Sequence, residues 1–371
     1  LTRVAGHDAA MAMRRAMHDV VDEVGRVAAA EGIDCHYAKG GTVTLARTAA
    51  QMERLRSEAE EAHEFGLTEE DLRLLTAEEA HAAVGASEVV GGSFTPHCAA
   101  IHPARLVRGL AATVAGLGTT VYEQTPVLSI STDGCRTPGG RVRASVVIRA
   151  TEGYTVGLPG ERRTLMPLYS LMVATEPLGD DFWSEAGLAT RPTFADDRRL
   201  VIYGQRTADG RLAFGGRGAP YHLNSAIRPE FDRHRPMHDL IRETIVELFP
   251  ALADVTITHE WGGPLGVPRD WFPSVSYDRR SGFGYAGGYV GDGVSTTNLA
   301  GRTLADLITG EDSDIVRLPW VGHESPRWEP EPLRWLGVNL GLAASTAADR
   351  IEGRTGRPSM VGKALSHFLG G

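Results

Sequence analysis

Cysteine is scarce in this sequence of 371 residues, which contains only Cys35, Cys98 and Cys135. The three are far apart in the sequence and form neither a CxxC motif nor a Cys/His cluster. A disulfide-stabilised scaffold and a cysteine-based zinc site both need closely patterned cysteines. The sequence therefore predicts neither of them and no metal site, and it is typical of a protein from a reducing compartment.

Long apolar runs and an excess of positive charge are missing as well. No apolar run reaches the length of about 18 residues that a membrane-spanning helix needs, and residues 1–6 lack a signal-peptide pattern. The net charge is -9, whereas a nucleic-acid-binding protein needs a basic face. We therefore expect a soluble, cytoplasmic protein that binds no membrane and no nucleic acid. The first residue is Leu rather than Met, so we do not expect it to be the natural start.

What the sequence does contain is an ordinary globular composition, with 42% apolar and 23% charged residues, over a length that suggests two domains. Apolar spacing predicts helices at 7–31, 49–65, 105–116, 236–249 and from about 294 to 310. A capping box at Thr76 predicts a further short helix. Strands are expected at 42–46, 119–123, 127–131, 141–150, 170–175, 200–203 and 212–215, with 127–131 and 141–150 paired around a Gly/Pro turn. Because helices and strands alternate at both ends and strands dominate the middle, we expect an α/β nucleotide domain interrupted by an antiparallel substrate domain.

The most distinctive segment is a glycine-rich stretch, Tyr285-Ala-Gly-Gly-Tyr-Val-Gly-Asp-Gly-Val-Ser-Thr-Thr-Asn-Leu-Ala-Gly. Its pattern predicts a strand, a turn with glycines at 287, 288, 291 and 293, and a helix that begins near Val294. Glycine lets the backbone lie close to a bulky ligand, and the N-terminus of a helix attracts negative charge, such as that on the N1–C2=O edge of a reduced flavin. An ordinary strand–turn–helix without a ligand explains the spacing equally well.

Two other segments carry similar but weaker signals. Val146-Val-Ile-Arg-Ala-Thr-Glu-Gly-Tyr is an apolar strand, expected to be buried on both faces, which ends in small residues as strands at nucleotide sites do. Trp261-Gly-Gly-Pro-Leu-Gly-Val-Pro-Arg-Asp-Trp-Phe-Pro is a Gly/Pro loop with aromatic residues at both ends, suited to lining a planar cofactor. Taken alone, the first is better explained as a plain buried strand, and a rigid surface loop explains the second equally well.

Together and in this order, the three segments resemble the FAD-dependent oxidoreductases of the D-amino-acid-oxidase superfamily. The Gly288–Val294 block resembles the family's G-[FHY]-x-G-x-G-[FVIL] segment under the flavin, and Trp261–Pro273 is similar to its W-x-G-x-x-P-x-T-x-D-x-x-P loop, with Asp270 at the acidic position. Pro96–Leu106 resembles the crossing from the substrate domain back into a helix. That stretch and Leu212–Pro220 are most similar to the γ-glutamylputrescine-oxidase-like branch.

The resemblance implies a Rossmann-like FAD-binding domain with an inserted antiparallel β-sheet substrate domain. We place the FAD-binding domain at 1–31, 97–160 and 256–312, the substrate domain at 32–96 and 161–255, and a C-terminal tail at 313–371. The residues then expected to contact FAD are Val127, Thr151, Gly153, Trp261, Gly263, Asp270, Gly288, Gly291, Asp292, Gly293 and Val294.

The sequence departs from the family at two places. No G-x-G-x-x-G followed by a helix and an acidic residue is present, although the family uses such a unit to bind the FAD pyrophosphate. We therefore expect the Rossmann-like domain to be incomplete at its N-terminus, without its first βαβ unit. The second departure is Leu265, where amino-acid-oxidising members often have an Arg that holds the substrate carboxylate. Leucine there favours an amine substrate.

The expected reaction is the oxidation of a CH–NH bond in a small amine or amino acid, with hydride transfer from the α-carbon to FAD and dioxygen or another carrier as electron acceptor. In such chemistry the protein mainly positions the substrate. The catalytic candidates are Arg217, Tyr203 and Tyr289, with a surface salt bridge as the alternative for Arg217 and core packing for Tyr203. His97 and His102 are expected to make local hydrogen bonds. The alternative function is an N-terminally truncated, non-catalytic fragment that does not hold FAD.

Overall fold

The structure is a computed structural model that describes residues 5–218, 220–357 and 359. Its α-helices, in chain order, are α1 His7–Ala30, α2 Ala49–Glu64, α3 Ala77–Ala83, α4 Pro103–Gly116, α5 Asp180–Ala186, α6 Arg235–Leu248, α7 Gly293–Thr309 and α8 Leu333–Thr355. Its strands are β1 Thr42–Ala46, β2 Arg73–Leu75, β3 Gly91–Thr95, β4 Ser129–Ser131, β5 Gly134–Thr137, β6 Gly140–Arg143, β7 Val147–Arg149, β8 Met166–Thr175, β9 Thr193–Asp196, β10 Ile202–Arg206, β11 Leu212–Arg217, β12 Ile257–Val267, β13 Ser274–Asp278 and β14 Phe283–Gly287.

A large sheet of eight strands, counted over the described residues, joins two distant parts of the sequence in the order β12-β8-β11-β10-β9-β1-β3-β2. All its pairs are antiparallel except β1 with β9. Successive side chains of a strand point to opposite faces of the sheet, and this holds for β8. Tyr169, Leu171 and Val173 are almost fully buried, whereas Ser170 and Met172 on the opposite face are partly exposed.

The buried face of the large sheet is its core face. Helix α6 packs on it with its apolar side, because Ile241, Ile245 and Leu248 recur at the three- and four-residue spacing of a helix. Helix α3 begins with the capping box that the sequence predicts, in which Thr76 and Glu79 each accept a backbone N–H of the other. These contacts leave the opposite face of the sheet, at Ser170 and Met172, free to form a site.

A small sheet, β13-β14-β7, carries the glycine-rich segment. Strand β7 runs parallel to β14, and helix α7 packs on β13 and β14. Helix α1 lies against α7, and the apolar cluster between these elements includes Val20, Val275, Leu299, Leu304 and Trp320. Among the described helices none is long and apolar enough to cross a membrane.

Residues 103–149 differ from three of the sequence-based expectations. The predicted strand 119–123 is wrong, since no described strand lies beside it to accept its backbone hydrogen bonds. The segments 127–131 and 141–150 do not pair with each other, because β5 lies between β4 and β6 in a third, hairpin sheet. The strand expected to be buried on both faces is also wrong, as Ile148 is exposed and β7 has a described neighbour only in β14.

The C-terminal tail is anchored by tryptophan side chains. Trp320 and Trp328 are buried, and the Trp328 indole donates a hydrogen bond to the Val267 carbonyl at 2.8 Å, whereas Trp335 is exposed. Helix α8 was not predicted from the sequence. It is attached to the loop between β9 and β10 by Asp349, which accepts the backbone N–H groups of Arg199 and Leu200, both at 2.9 Å.

Candidate functional site

The glycine-rich turn between β14 and α7 has a backbone that few other residues tolerate. Gly288 and Gly291 have φ angles of 82° and 106°, and Val290 between them has a φ of 55°. The Asp292 N–H donates to the Tyr289 carbonyl at 3.0 Å, which closes the turn. Helix α7 then begins at Gly293, as predicted to within one residue, and no side chain of a described residue caps its first N–H groups.

Two of the turn's amides are taken by a carboxylate from another segment. Glu152, which follows β7, accepts the Gly288 N–H through Oε2 and the Tyr289 N–H through Oε1, both at 3.0 Å. The same carboxylate also faces the backbone of Gly266 in β12, where any side chain larger than glycine's would collide with Oε2. Glu152 therefore links the end of β7, the turn after β14 and the end of β12.

Burial raises the pKa of Glu152 above its ordinary value, against the opposing effect of the Gly288, Tyr289 and Gly266 amides. The Tyr289 hydroxyl is buried in the cluster beneath α7, and this burial, together with the nearby charge of Glu152, raises its pKa far above the usual range. Tyr289 was predicted to be catalytic. Its side chain is 9% exposed and packs among apolar residues, so any catalytic role remains a prediction.

The 3₁₀ helix Glu152–Gly157 packs directly on β12 and β8. Gly153 faces Pro264 so closely that a Cβ would lie 2.7 Å from the Pro264 carbonyl oxygen, which explains the glycine by packing. The Thr151 and Thr155 hydroxyls are hydrogen-bonded at 2.8 Å. The structure thus brings Thr151 and Gly153 to the same junction as Gly288, and their contact with FAD stays a prediction.

The free face of the large sheet gathers the other candidates. In the strand register, Trp261 of β12 lies opposite Met172, and Gly263 lies opposite Ser170. The Ser170 and Tyr203 hydroxyls are hydrogen-bonded to each other. Within the described part of the chain, no atom lies within 4 Å of a Cβ placed on Gly263. We call this surface the open face, defined by Ser170, Met172, Tyr203, Trp261 and Gly263.

Arg217 pairs through its backbone with Ser170, at the end of β11. Its side chain lies outside the described part of the chain, so its predicted contact with substrate stays a prediction. Leu265 lies opposite Leu168 and two residues beyond Gly263, and therefore on the same side of β12 as the open face. At this position the sheet presents an aliphatic side chain.

Asp270 and Val127 lie apart from these groups. Asp270 pairs with His323 at 2.7 Å and accepts the Phe272 N–H at 3.2 Å. Burial opposes ionisation of Asp270, but the hydrogen bonds from Ser325 and His323 outweigh it and lower its pKa. Val127 precedes β4 of the hairpin sheet and is exposed. Asp270 thus fastens the tail in this structure, and a flavin contact from either residue remains a prediction.

Two polar residues that belong to the site, Glu152 and Ser170, were not predicted from the sequence. Glu152 stands between Thr151 and Gly153, both of which were chosen, and an acidic residue in a stretch of small residues after a strand was the available signal. Ser170 lies within a run of apolar strand residues, and its hydroxyl finds Tyr203 only through the pairing of β8 with β11 and of β11 with β10. That partner is not visible in the sequence.

The arrangement fits a planar cofactor in part. Among the described residues, a Cβ on Gly293 would meet nothing within 4 Å, so these residues leave space at the first turn of α7, whose N–H groups attract an electron-rich ring edge. Gly291, Asp292 and Val294 lie around the same point, and Val294 is partly exposed. The Gly288 and Tyr289 amides, in contrast, are held by Glu152. The α7 N-terminus, rather than these two amides, is therefore the part that can receive a ligand.

Comparison with known proteins identifies the family. A family model described as FAD dependent oxidoreductase (DAO) matches residues 4–307. The chain is 31% identical over 294 residues to the probable oxidoreductase OrdL of Haemophilus influenzae, which covers 76% of this chain and 64% of that protein. It is 29% identical over 284 residues to gamma-glutamylputrescine oxidoreductase of Escherichia coli, covering 75% of this chain and 63% of that one. The chain therefore spans less than two thirds of the length of these relatives.

Solved structures share the fold. A glycine oxidase from Geobacillus kaustophilus superposes with a TM-score of 0.69 at 21% identity, covering 85% of this chain and 83% of that one. An L-proline dehydrogenase from P. horikoshii gives 0.67 at 19% identity, covering 81% and 80%. At such identities the likeness concerns the fold alone, and it confirms the α/β architecture predicted from the sequence.

Proposed function

Because the chain belongs to the FAD-dependent oxidoreductases of the DAO family, we propose that it oxidises a CH–NH bond of a small amine at the open face. The observation that carries this proposal is the open face itself, which combines a hydroxyl pair, an aromatic ring and an unfilled glycine position beside the Glu152 junction. A gamma-glutamylputrescine oxidoreductase among the similar proteins supports an amine as the substrate class.

The side chains around the open face favour an amine over an amino acid. A substrate carboxylate is best held by a bidentate Arg, and Leu265 offers only an aliphatic surface at the position next to Gly263. Leu168, opposite it, extends the same apolar surface into a cluster with Tyr221 and Trp328. A neutral or aliphatic substrate tail fits these residues, while the hydroxyls of Ser170 and Tyr203 suit a nitrogen.

The chain's own residues would act by positioning. The Ser170–Tyr203 hydroxyl pair can accept a hydrogen bond from the substrate nitrogen and hold it in one orientation. Trp261, which is 40% exposed, can cover the substrate and exclude water. FAD, when bound, would supply the acceptor for the hydride from the substrate's α-carbon. The free N–H groups at the start of α7 would favour negative charge on the ring edge beside them.

The proposal is tested by Gly293→Val. Because a Cβ at Gly293 meets no atom within 4 Å, the substitution fits the chain without cofactor and fills the space in which we place the flavin. We expect retained folding but at least tenfold weaker FAD binding, measured by quenching of flavin fluorescence. Gly301→Val is the matched control, since Gly301 lies in the same helix and also has no atom within 4 Å of its Cβ. Equal FAD binding by both variants would contradict the proposed site.

Substrate class is tested by turnover of primary and secondary amines against α-amino acids, with dioxygen and an artificial electron acceptor compared. We expect amines to be preferred, and Tyr203→Phe to raise KM for the amine by weakening the hydroxyl pair. Leu265→Arg adds the carboxylate ligand that the chain lacks at this position, so we expect it to shift preference towards amino acids. Amino-acid preference in the unmodified chain would contradict the amine assignment.

A second candidate is that this chain alone does not retain FAD. It is favoured by the exposed apolar side chains of residues 103–149 and by β7, which has a described strand on one side only. An FAD titration of the unmodified chain decides between the two. Saturable binding, with flavin absorption that remains with the protein after free FAD is removed, supports the oxidoreductase. A folded chain that retains no flavin absorption, even after exposure to a high FAD concentration, supports the second candidate.

A further inference from the structure

Three residues with metal-binding side chains meet away from the open face. His18 lies on α1, Asp71 lies in the turn between α2 and β2, and His97 follows β3. The two imidazole rings are stacked, with centroids 3.6 Å apart and planes within 7° of parallel. His97 Nε2 lies 3.0 Å from Asp71 Oδ1, and one ligand atom from each residue lies within 4.8 Å of the others.

The surroundings prepare these side chains for a cation. The backbone N–H and the hydroxyl of Thr68 donate to Asp71 Oδ2 at 3.0 and 3.2 Å, which orients the other oxygen, Oδ1, towards His97. Each of the three residues can offer one ligand atom, and the three come from separate segments of the chain.

We propose that His18, Asp71 and His97 form a binding site for one divalent first-row transition ion, with Zn²⁺ as the representative ion. Two imidazoles and a carboxylate suit zinc and its neighbours, whereas Ca²⁺ and Mg²⁺ prefer ligand sets made of oxygen alone. Three protein ligands leave a fourth position for water. None of the residues that we assign to FAD or to the substrate belongs to this cluster.

The present geometry needs only a small adjustment to bind the ion. Zinc lies about 2.0–2.2 Å from nitrogen and oxygen ligands, so the donor atoms must approach one another to within about 3.5 Å. No separation between the three donor atoms exceeds 4.8 Å, and side-chain rotation can close the difference. The stacked imidazole rings must also tilt. Each imidazole binds an ion in its own ring plane, and two parallel ring planes have no point in common. The other charged groups near His18 are Arg14 and Asp19, which carry opposite charges.

The site would fasten two parts of the molecule. Helix α1 packs on α7 beside the small sheet, while Asp71 and His97 flank β2 and β3 at the edge of the large sheet. An ion held by both would resist separation of the two sheets. It would therefore raise the stability of the chain without touching the open face.

The experiment measures zinc binding to the untagged, metal-stripped full chain by equilibrium dialysis and elemental analysis. We expect one Zn²⁺ per chain, and at least about tenfold weaker binding in Asp71→Asn and in His18→Gln. The matched control is His36→Asn. His36 also has a carboxylate neighbour, Asp34, at 3.8 Å and a second histidine, His102, at 5.9 Å between ring centroids, but in a less compact arrangement.

A second measurement separates binding from misfolding. We expect Zn²⁺ to raise the melting temperature of the unmodified chain and of His36→Asn, and to leave Asp71→Asn and His18→Gln unchanged. Co²⁺ should give a visible absorption band only in the first two proteins. Absence of zinc binding by the folded, unmodified chain, or equal binding by Asp71→Asn, would overturn the proposal.

Discussion

The large sheet and residues 103–149 use similar apolar patterns with opposite results. On β8 and β11 the alternating apolar side chains are almost completely buried against α6. On α4 the residues Val107, Leu110 and Val114 recur at helical spacing, yet no residue of that helix is buried within the described chain. Leu117, just beyond it, is 82% exposed.

The difference shows that the spacing of apolar residues along the chain specifies a helix or a strand. Whether the apolar side of that helix or strand is buried depends on the presence of a neighbouring helix or strand. Core burial of a Leu contributes about 1.5–3 kcal/mol of transfer free energy, and that contribution is absent where no neighbour exists. The stability of this chain should therefore reside in the large sheet. Residues 103–149 present an apolar surface of the kind that ordinarily marks a contact with another element.

The strongest test of this comparison is a matched pair of Leu→Ala substitutions. Leu171→Ala removes a fully buried side chain from the core face and should lower the free energy of unfolding by about 2–5 kcal/mol. Leu117→Ala removes an exposed one and should change it by less than about 0.5 kcal/mol. Urea unfolding measures both. A large loss in Leu117→Ala would mean that this surface is covered in solution.

Glu152 provides the next test, at the junction between the two sheets. Glu152→Ala leaves the buried N–H of Tyr289 and that of Gly288 without their acceptor, which should cost about 1–3 kcal/mol. Glu152→Gln keeps an oxygen acceptor and should cost less. The same denaturant titration distinguishes them, and equal losses would show that the charge of Glu152, rather than its hydrogen bonds, holds the turn.

A smaller effect is expected at a helix cap of the large-sheet region. Thr76→Ala removes the side-chain acceptor of the capping box and should lower the free energy of unfolding by about 1 kcal/mol. Thr119→Ala, an exposed threonine that lies in no helix or strand, is the control and should be neutral. Equal shifts of the melting temperature in both variants would contradict the expected difference between the large-sheet region and residues 103–149.

A pH dependence is expected at Asp197, just after β9 in the large sheet. Burial raises the pKa of Asp197 to about 6, against the attraction of Arg54, from an ordinary value of 3.8. The folded state thus binds this proton more tightly than the unfolded chain, so the contribution of Asp197 to stability falls as pH rises from about 4 to about 6. Relative to Asp197→Asn, the unmodified chain should lose on the order of 1–2 kcal/mol over that range. An opposite slope in urea titrations would contradict this assignment.

The sequence was most informative where the structure depends on neighbours along the chain. The capping box at Thr76, strand β1 and the start of α7 near Gly293 were predicted closely, because caps, alternation and glycine turns are local signals. The predicted strand at 119–123 and the burial of Ile148 were wrong, because both require a neighbouring strand. Within the site, Gly288 was identified but its partner Glu152 was not, since 136 positions separate them in the sequence.

The parallel pairing of β1 with β9 has a consequence for synthesis in the cell. Thr42 pairs with Thr95 of β3 but cannot pair with β9 until Thr193 is made, and β12 is made later still. At ordinary translation rates the time between the synthesis of Thr95 and that of Thr193 is about 5–20 s, far longer than strand pairing needs. The nascent β1–β3 pair therefore spends that time with an unpaired edge, and a chaperone that shields strand edges should raise the yield of folded chain.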